Sequence, residues 1–261
     1  MNIVVLVKQV PAVSDIEIDP KTNNLVRIGA PSMLNPVDFN AVEAALQVKE
    51  AVGGTVTLIT MGTALAGEAM RDGIAIGADK GILVSDERMG GSDTLATGKI
   101  LAKAIAAIGD VDLVFTGKQS ADGDTGQIPP AVAQHLGMSL VSYADSVVVD
   151  GTTVKATRHN HGGIETVEAQ LPAVCSVTEL INTPRSPKIK GKMNAKKAIF
   201  DVWRLEDIQL DPAEAGKSGS ATTVTTTFAP EKHAVGMMIE GSDTKDAVKK
   251  LVDTLASEKI L

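Results

Sequence analysis

Four short apolar runs without the alternation of a one-sided strand constrain this chain most. They occupy residues 3–7, 56–60, 82–84 and 111–115, and strands read this way when helices cover both faces of their sheet. Helical patterns lie between them at residues 39–51, 66–76 and 94–108, closed by Gly53-Gly54, Gly77 and Gly109. Glycine just past the last turn is a helix stop signal. Asp93 is placed to cap the third helix, and Asp38, after Asn35-Pro36-Val37, to cap the first. Strands alternating with crossover helices predict an α/β fold, a doubly wound parallel sheet of Rossmann-like type, through about Val141.

The fourth strand runs into a loop with almost no bulk: Thr116, Gly117, Lys118, Gln119, Ser120, Ala121, Asp122, Gly123, Asp124, Thr125, Gly126 and Gln127. The helix at residues 127–136 carries Pro129 and Pro130, tolerable only in a first turn. Backbone N–H groups at a helix start are unpaired and lie at the positive end of the dipole, so the loop predicts a site for a nucleotide phosphate. Thr125 offers a hydroxyl donor, and a Cβ at Gly126 is expected to crowd the anion. The loop is neither a GxGxxG fingerprint nor a P-loop, so a plain connection is the competing reading. Ligands of open α/β sheets sit beyond the carboxyl ends of the strands. That places Lys8, Met61-Gly62-Thr63, Thr116-Gly117 and the Asn35 to Asp38 entry at one sheet edge.

After Val141 the pattern changes. Residues 146–149, the Asp150-Gly151 turn and residues 153–157 read as a hairpin, and residues 164–169 and 173–177 as further strands of an antiparallel addition. From Asn182 the chain reads as an extended arm: Pro184 and Pro187 break regular structure, and Lys188, Lys190, Lys192, Lys196 and Lys197 make it locally basic. Residues 209–227, rich in Ser, Thr, Ala and Gly, read as a linker before an amphipathic helix at 244–256. The expected division is a nucleotide-binding domain over 1–181, a recognition arm over 182–204, and a linker with a C-terminal helix over 205–261.

A formal charge of −7 and 2% aromatic residues argue against a nucleic-acid partner, which calls for a basic face and, for single strands, stacking rings. The single cysteine, Cys175, lies in an apolar run and reads as a core thiol. The chain opens directly into a strand and has no apolar span of membrane length, so a cytoplasmic location without membrane insertion is expected.

The chain resembles the beta (small) subunit of electron-transferring flavoprotein over nearly its full length. The residues that carry the resemblance are Val-Leu-Val-Lys-Gln-Val at 5–10, Asn35-Pro36, Gly77-Ala78-Asp79, Val111-Asp112-Leu113-Val114, Gly117-Lys118-Gln119 and Thr125-Gly126-Gln127. A later block adds Gly162-Gly163, Glu165-Thr166, Leu171-Pro172-Ala173-Val174, Asn182, Pro184-Arg185, Met193 and Ala195-Lys196-Lys197. The resemblance implies a heterodimer whose alpha subunit binds FAD, while the beta subunit holds a structural AMP or, in electron-bifurcating members, a second FAD. Carried over, the nucleotide pocket includes Leu6, Asn35, Pro36, Val37, Asp38, Met61 and the run from Gly117 to Thr125, with Gly126 and Gln127 at the helix start. The recognition loop falls on residues 184–193, with Ile189 as the apolar anchor for an acyl-CoA dehydrogenase, Lys190 and Lys192 beside it and Met193 at its end.

Two features place the chain with the bifurcating group: the short, glycine-containing loop from Ser120 to Thr125, and Asp38 after Asn35-Pro36-Val37. That resemblance implies FAD rather than AMP. It also implies electrons from NADH that divide between ferredoxin or flavodoxin and, through the alpha-subunit FAD, an acyl-CoA dehydrogenase. No side chain is assigned a catalytic role, because the flavin carries the chemistry. The alternatives are a non-bifurcating subunit holding AMP and, in a different class, a nucleotide sensor or hydrolase. His159 and His161 lack a third ligand in the sequence pattern, and no metal is expected.

Overall fold

The computed structural model describes residues 1–12, 32–226 and 236–261. It divides into two compact units, Met1–Thr225 and Thr226–Leu261. In chain order the first half contains β1 (Asn2–Leu6), β2 (Gln9–Pro11), β3 (Ser32–Leu34), α1 (Pro36–Val52), β4 (Thr55–Met61), α2 (Ala66–Ile76), β5 (Lys80–Val84), α3 (Thr94–Ile108), β6 (Leu113–Gly117) and α4 (Ile128–Leu136). The rest of the first unit contains β7 (Ser139–Ala144), β8 (Ser146–Asp150), β9 (Thr153–Asn160), β10 (Gly163–Gln170), β11 (Ala173–Val177), α5 (Ile189–Lys197), β12 (Asp201–Trp203) and the short α6 (Gly216–Gly219). The second unit contains α7 (Thr244–Ser257), capped by Asp243, which accepts from Asp246 N–H.

Seven strands form one parallel sheet in the order β12-β5-β4-β1-β6-β11-β7, and β10-β9-β8 form a separate antiparallel sheet. The apolar runs are continuous because each strand packs on both sides. Ile3, Val5 and Val7 lie with Val42 and Leu46 of α1 and Met70 of α2, whereas Val4 and Leu6 lie with Ile100 and Ile105 of α3 and Val132 of α4. The helix ends expected at Gly53, Gly77 and Gly109 are where α1, α2 and α3 stop. Asp93 caps α3 by accepting from Ala96 N–H.

Several sequence expectations need correction. Residues 173–177 do not join the antiparallel addition: β11 inserts parallel between β6 and β7, every residue buried. A buried apolar run carries no mark of strand direction. The arm after Asn182 is ordered on the main unit. Its helix α5 packs on α2, where a Cβ at Gly191 would lie 2.1 Å from Ala75 O, and Arg71 donates to the carbonyls of Ala195 in α5 (2.5 Å) and of Ala198 just after it (3.0 Å). β12 then extends the parallel sheet beside β5. Of the expected linker and tail, Leu205, Ile208, Leu210 and Ala215 are buried in the core against α3, while residues 227–235 lie outside the described residues. The apolar positions there are too few and too irregularly spaced to read as an element.

Candidate functional site

The sheet changes direction between β1 and β6: from β1 the chain builds outward through β4 and β5, then returns to the other side with β6. Loops leaving such a switch point diverge and open a crevice. A cavity of about 950 Å³ lies there.

One of its walls is the loop between β6 and α4, held by Asn35 and Asp38 at the start of α1. Asp38 does not cap that helix; α1 begins at Pro36, and Asn35 is its N-cap residue without a side-chain capping bond. Asp38 instead turns inward and is buried. Its carboxylate accepts from Lys8 N–H (2.8 Å), Asn35 Nδ2 (3.0 Å) and Gly117 N–H (3.2 Å). Burial pushes the carboxyl up to about 7, against the downward pull of these donors. Gly117 is required by this approach, since a Cβ there would lie 2.4 Å from Asp38 Oδ1. Asn35 grips the loop backbone at two points, donating to Gln119 O (2.9 Å) and accepting from Ala121 N–H (3.0 Å).

The loop then folds on itself. Gly123 and Asp124 N–H both donate to Ser120 O, Gln119 donates to Asp124 Oδ1 (2.9 Å), and Lys8 Nζ bridges Ser120 Oγ (3.2 Å) and Asp122 Oδ1 (2.7 Å). Burial works to raise the Asp122 carboxyl, but the Lys8 ammonium prevails and holds it below the usual range. At the helix start, the backbone N–H groups of Thr125, Gly126, Gln127 and Ile128 donate to no acceptor among the described residues. Unpaired N–H groups at a helix start are the arrangement an anion site requires. Gly126 has φ +62°, and a Cβ would point at the Tyr143 hydroxyl (3.2 Å) and Lys118 O (3.5 Å). The backbone angle and the Tyr143 hydroxyl both favour glycine at this position.

Of the residues expected to bind a nucleotide, Leu6, Asn35, Asp38, Met61, Thr116, Gly117, Gln119, Ser120, Gly123, Thr125, Gly126 and Gln127 line the cavity. The others stand behind it. Pro36 is in the first turn of α1, Val37 packs under Gly117, and Lys118 N–H donates to Val177 O while its ammonium pairs with Glu179. Ala121, Asp122 and Asp124 spend their groups on Asn35, Lys8 and Gln119 as above.

A second wall was not assigned from sequence. Residues 85–94, between β5 and α3, line the opposite side with Thr97 and Leu101, apart from Arg88. The signal was the same as in the first wall: a Gly90-Gly91-Ser92-Asp93 run between a buried strand and a capped helix. Met61, Val84, Met89, Leu101 and Ile128 give the cavity apolar surface between the two polar walls.

The expected docking residues lie on α5, away from the cavity lining. Ile189 is 81% exposed and Met193 55%, and Lys190 and Lys192 are exposed beside them. Upstream, Asn40 and Asn182 exchange side-chain to backbone bonds, and Arg185 pairs with Glu43 and Glu50 of α1. His159 pairs with Asp145, and His161 is exposed.

The fold and the crevice define a doubly wound α/β protein with its cavity at the switch point. A family profile described as electron transfer flavoprotein domain matches residues 22–208. The chain is 40% identical to the electron transfer flavoprotein subunit beta of Thermoanaerobacterium thermosaccharolyticum, with all of both chains covered. It is 39% identical to the caffeyl-CoA reductase-Etf complex subunit CarD of Acetobacterium woodii and 38% identical to the electron transfer flavoprotein subunit beta of Megasphaera elsdenii, again with full coverage of both chains. The chain belongs to the electron transfer flavoprotein family, as a beta subunit. Membership gives it an electron-transfer role and implies an alpha-subunit partner. No described helix is long and apolar enough to cross a membrane.

Proposed function

We propose that the cavity holds FAD and that this chain is the NADH-oxidising, electron-bifurcating beta subunit of its heterodimer. The observation that carries the reading is the reach of the cavity, which spans both walls of the switch point and measures about 950 Å³. That is near the top of the roughly 300–1,000 Å³ range of small-molecule sites. A dinucleotide seated with a phosphate at residues 125–128 has a second half for the rest of this volume, where a mononucleotide has none. The chemistry of the lining fits: free N–H groups for phosphate, and Met61, Val84 and Leu101 for a ring system.

When bound, FAD supplies the acceptor for hydride from NADH and the one-electron steps toward ferredoxin or flavodoxin and, through the alpha-subunit FAD, an acyl-CoA dehydrogenase. The chain's own residues orient and enclose it. Asn35 and Asp38 hold the phosphate loop, residues 85–94 close the far side, and α5 presents Ile189, Lys190, Lys192 and Met193 to the dehydrogenase. A relative named for a complex with a caffeyl-CoA reductase agrees with service to an oxidoreductase of CoA thioesters. The cytoplasm is the compartment in which these partners meet.

The test is coupling. With its alpha partner, the complex is expected to reduce ferredoxin or flavodoxin with NADH only while an acyl-CoA dehydrogenase and its enoyl-CoA substrate are turning over. Electron delivery to the dehydrogenase with no reduction of either carrier would reject bifurcation and leave simple electron transfer.

A further inference from the structure

The second wall of the cavity is fastened from behind by chain that lies 124 to 129 positions further along. Gly216 N–H donates to Ser92 Oγ (2.9 Å), which donates in turn to Met89 O (2.8 Å). Asp93 N–H donates to Ser220 Oγ (2.8 Å), and that hydroxyl donates to Gly216 O (2.7 Å). Asp93 Oδ2 accepts from both the N–H (2.9 Å) and the hydroxyl (3.0 Å) of Thr222, while Oδ1 caps α3. The Lys217 stem lies over Gly91, where a Cβ would be 2.9 Å from its Cγ.

These bonds form a closed set in which each hydroxyl both donates and accepts or meets a carboxylate. The wall needs it. Among residues 90–93 none is a buried hydrophobic; the nearest apolar anchor is Met89. Polar bonds therefore set where the wall backbone sits. Ser220 and Thr222 are not in the cavity lining, so they act on a ligand only through the wall.

We propose that Ser220 and Thr222 are positioning residues that hold the wall at residues 90–93 for the half of a dinucleotide beyond its first phosphate, and so set the preference for dinucleotide over mononucleotide. The inference rests on the FAD reading above and names the segment that controls it. Asp93 transmits the constraint because one carboxylate joins Thr222 to the start of α3.

The experiment uses the full chain with its alpha partner, depleted of nucleotide at the beta site, as wild type, as Ser220→Ala/Thr222→Val, and as Thr222→Ser, which keeps the hydroxyl. Affinities for FAD and AMP are measured side by side, with amide hydrogen exchange over residues 90–93. The double variant loses three hydrogen bonds behind the wall and is expected to bind FAD about tenfold more weakly, a part of their combined worth. AMP affinity should stay unchanged, exchange at 90–93 should rise, and Thr222→Ser should behave as wild type. Equal weakening for FAD and AMP, or unchanged FAD affinity, would overturn the positioning role. A wild type that binds AMP and refuses FAD rejects the FAD reading instead; exchange then decides the strap, which fails if residues 90–93 are equally protected in both proteins.

Discussion

Asp38 offers the sharpest test of how the loop at residues 117–127 is built. Its buried carboxyl, raised from 3.8 to about 7, binds a proton in the folded protein over a pH interval where the unfolded chain has released it. Stability from this group is therefore fully present below pH 3.8 and is lost as pH rises to about 7, by up to ~1.4 kcal/mol per pH unit and roughly 4 kcal/mol in all. Asp38→Asn gives a neutral side chain of the same shape. Its oxygen can still accept from Asn35 and Gly117, but its NH2 meets Lys8 N–H donor to donor, where the hydroxyl of the protonated acid keeps a lone pair. That contact costs the variant stability at every pH, and its stability relative to wild type should rise by roughly 4 kcal/mol in all between pH 4 and pH 8. The assay is denaturant unfolding of both proteins across this range at fixed nucleotide concentration. A stability difference between the two proteins that does not change from pH 4 to pH 8 would show that the donors outweigh desolvation, and the reasoning would fail.

Two further substitutions probe the two halves of the account. Gly126→Val places a β-branched side chain at φ +62° against the Tyr143 hydroxyl, a strain of roughly 1–3 kcal/mol that the loop can relieve only by moving. The complex should then keep about half of its flavin and lose reduction by NADH; full flavin content with normal reduction would mean that residues 117–127 are only a connection. Ile189→Ala removes a side chain that is 81% exposed, so unfolding should change by less than about 0.5 kcal/mol. Docking should weaken by about tenfold to a hundredfold, the worth of burying an isoleucine, and raise the apparent KM for the dehydrogenase. Equal transfer rates at limiting dehydrogenase would remove Ile189 from the interface.

Sequence and structure agree where a residue's choice is dictated locally. The glycines after α1, α2 and α3, the cap at Asp93 and the proline start of α4 each answer to backbone geometry within one turn, and each could be read from neighbours alone. The loop at residues 117–127, between a buried strand and a proline-started helix, was legible for the same reason. Long-range choices were not. Nothing in the apolar run at 173–177 says that it slots parallel between β6 and β7. The lysine-rich α5 is held by a close approach of Gly191 to α2 and by Arg71, neither of which has a periodic pattern. Asp38 sits where a cap is expected, yet its partners Lys8 and Gly117 lie 30 and 79 positions away. The second wall carried a readable signal in Gly90-Gly91-Ser92-Asp93, but its fastening by Ser220 and Thr222 joins segments that only the fold brings together.

The cofactor content of the wild-type heterodimer tests the central claim most directly. On the proposed reading, the unpaired N–H groups at residues 125–128 and the second wall at 85–94 together take a dinucleotide. Acid denaturation of the purified complex should release two FAD per heterodimer, one from each subunit, and no AMP. One FAD together with one AMP would contradict that claim.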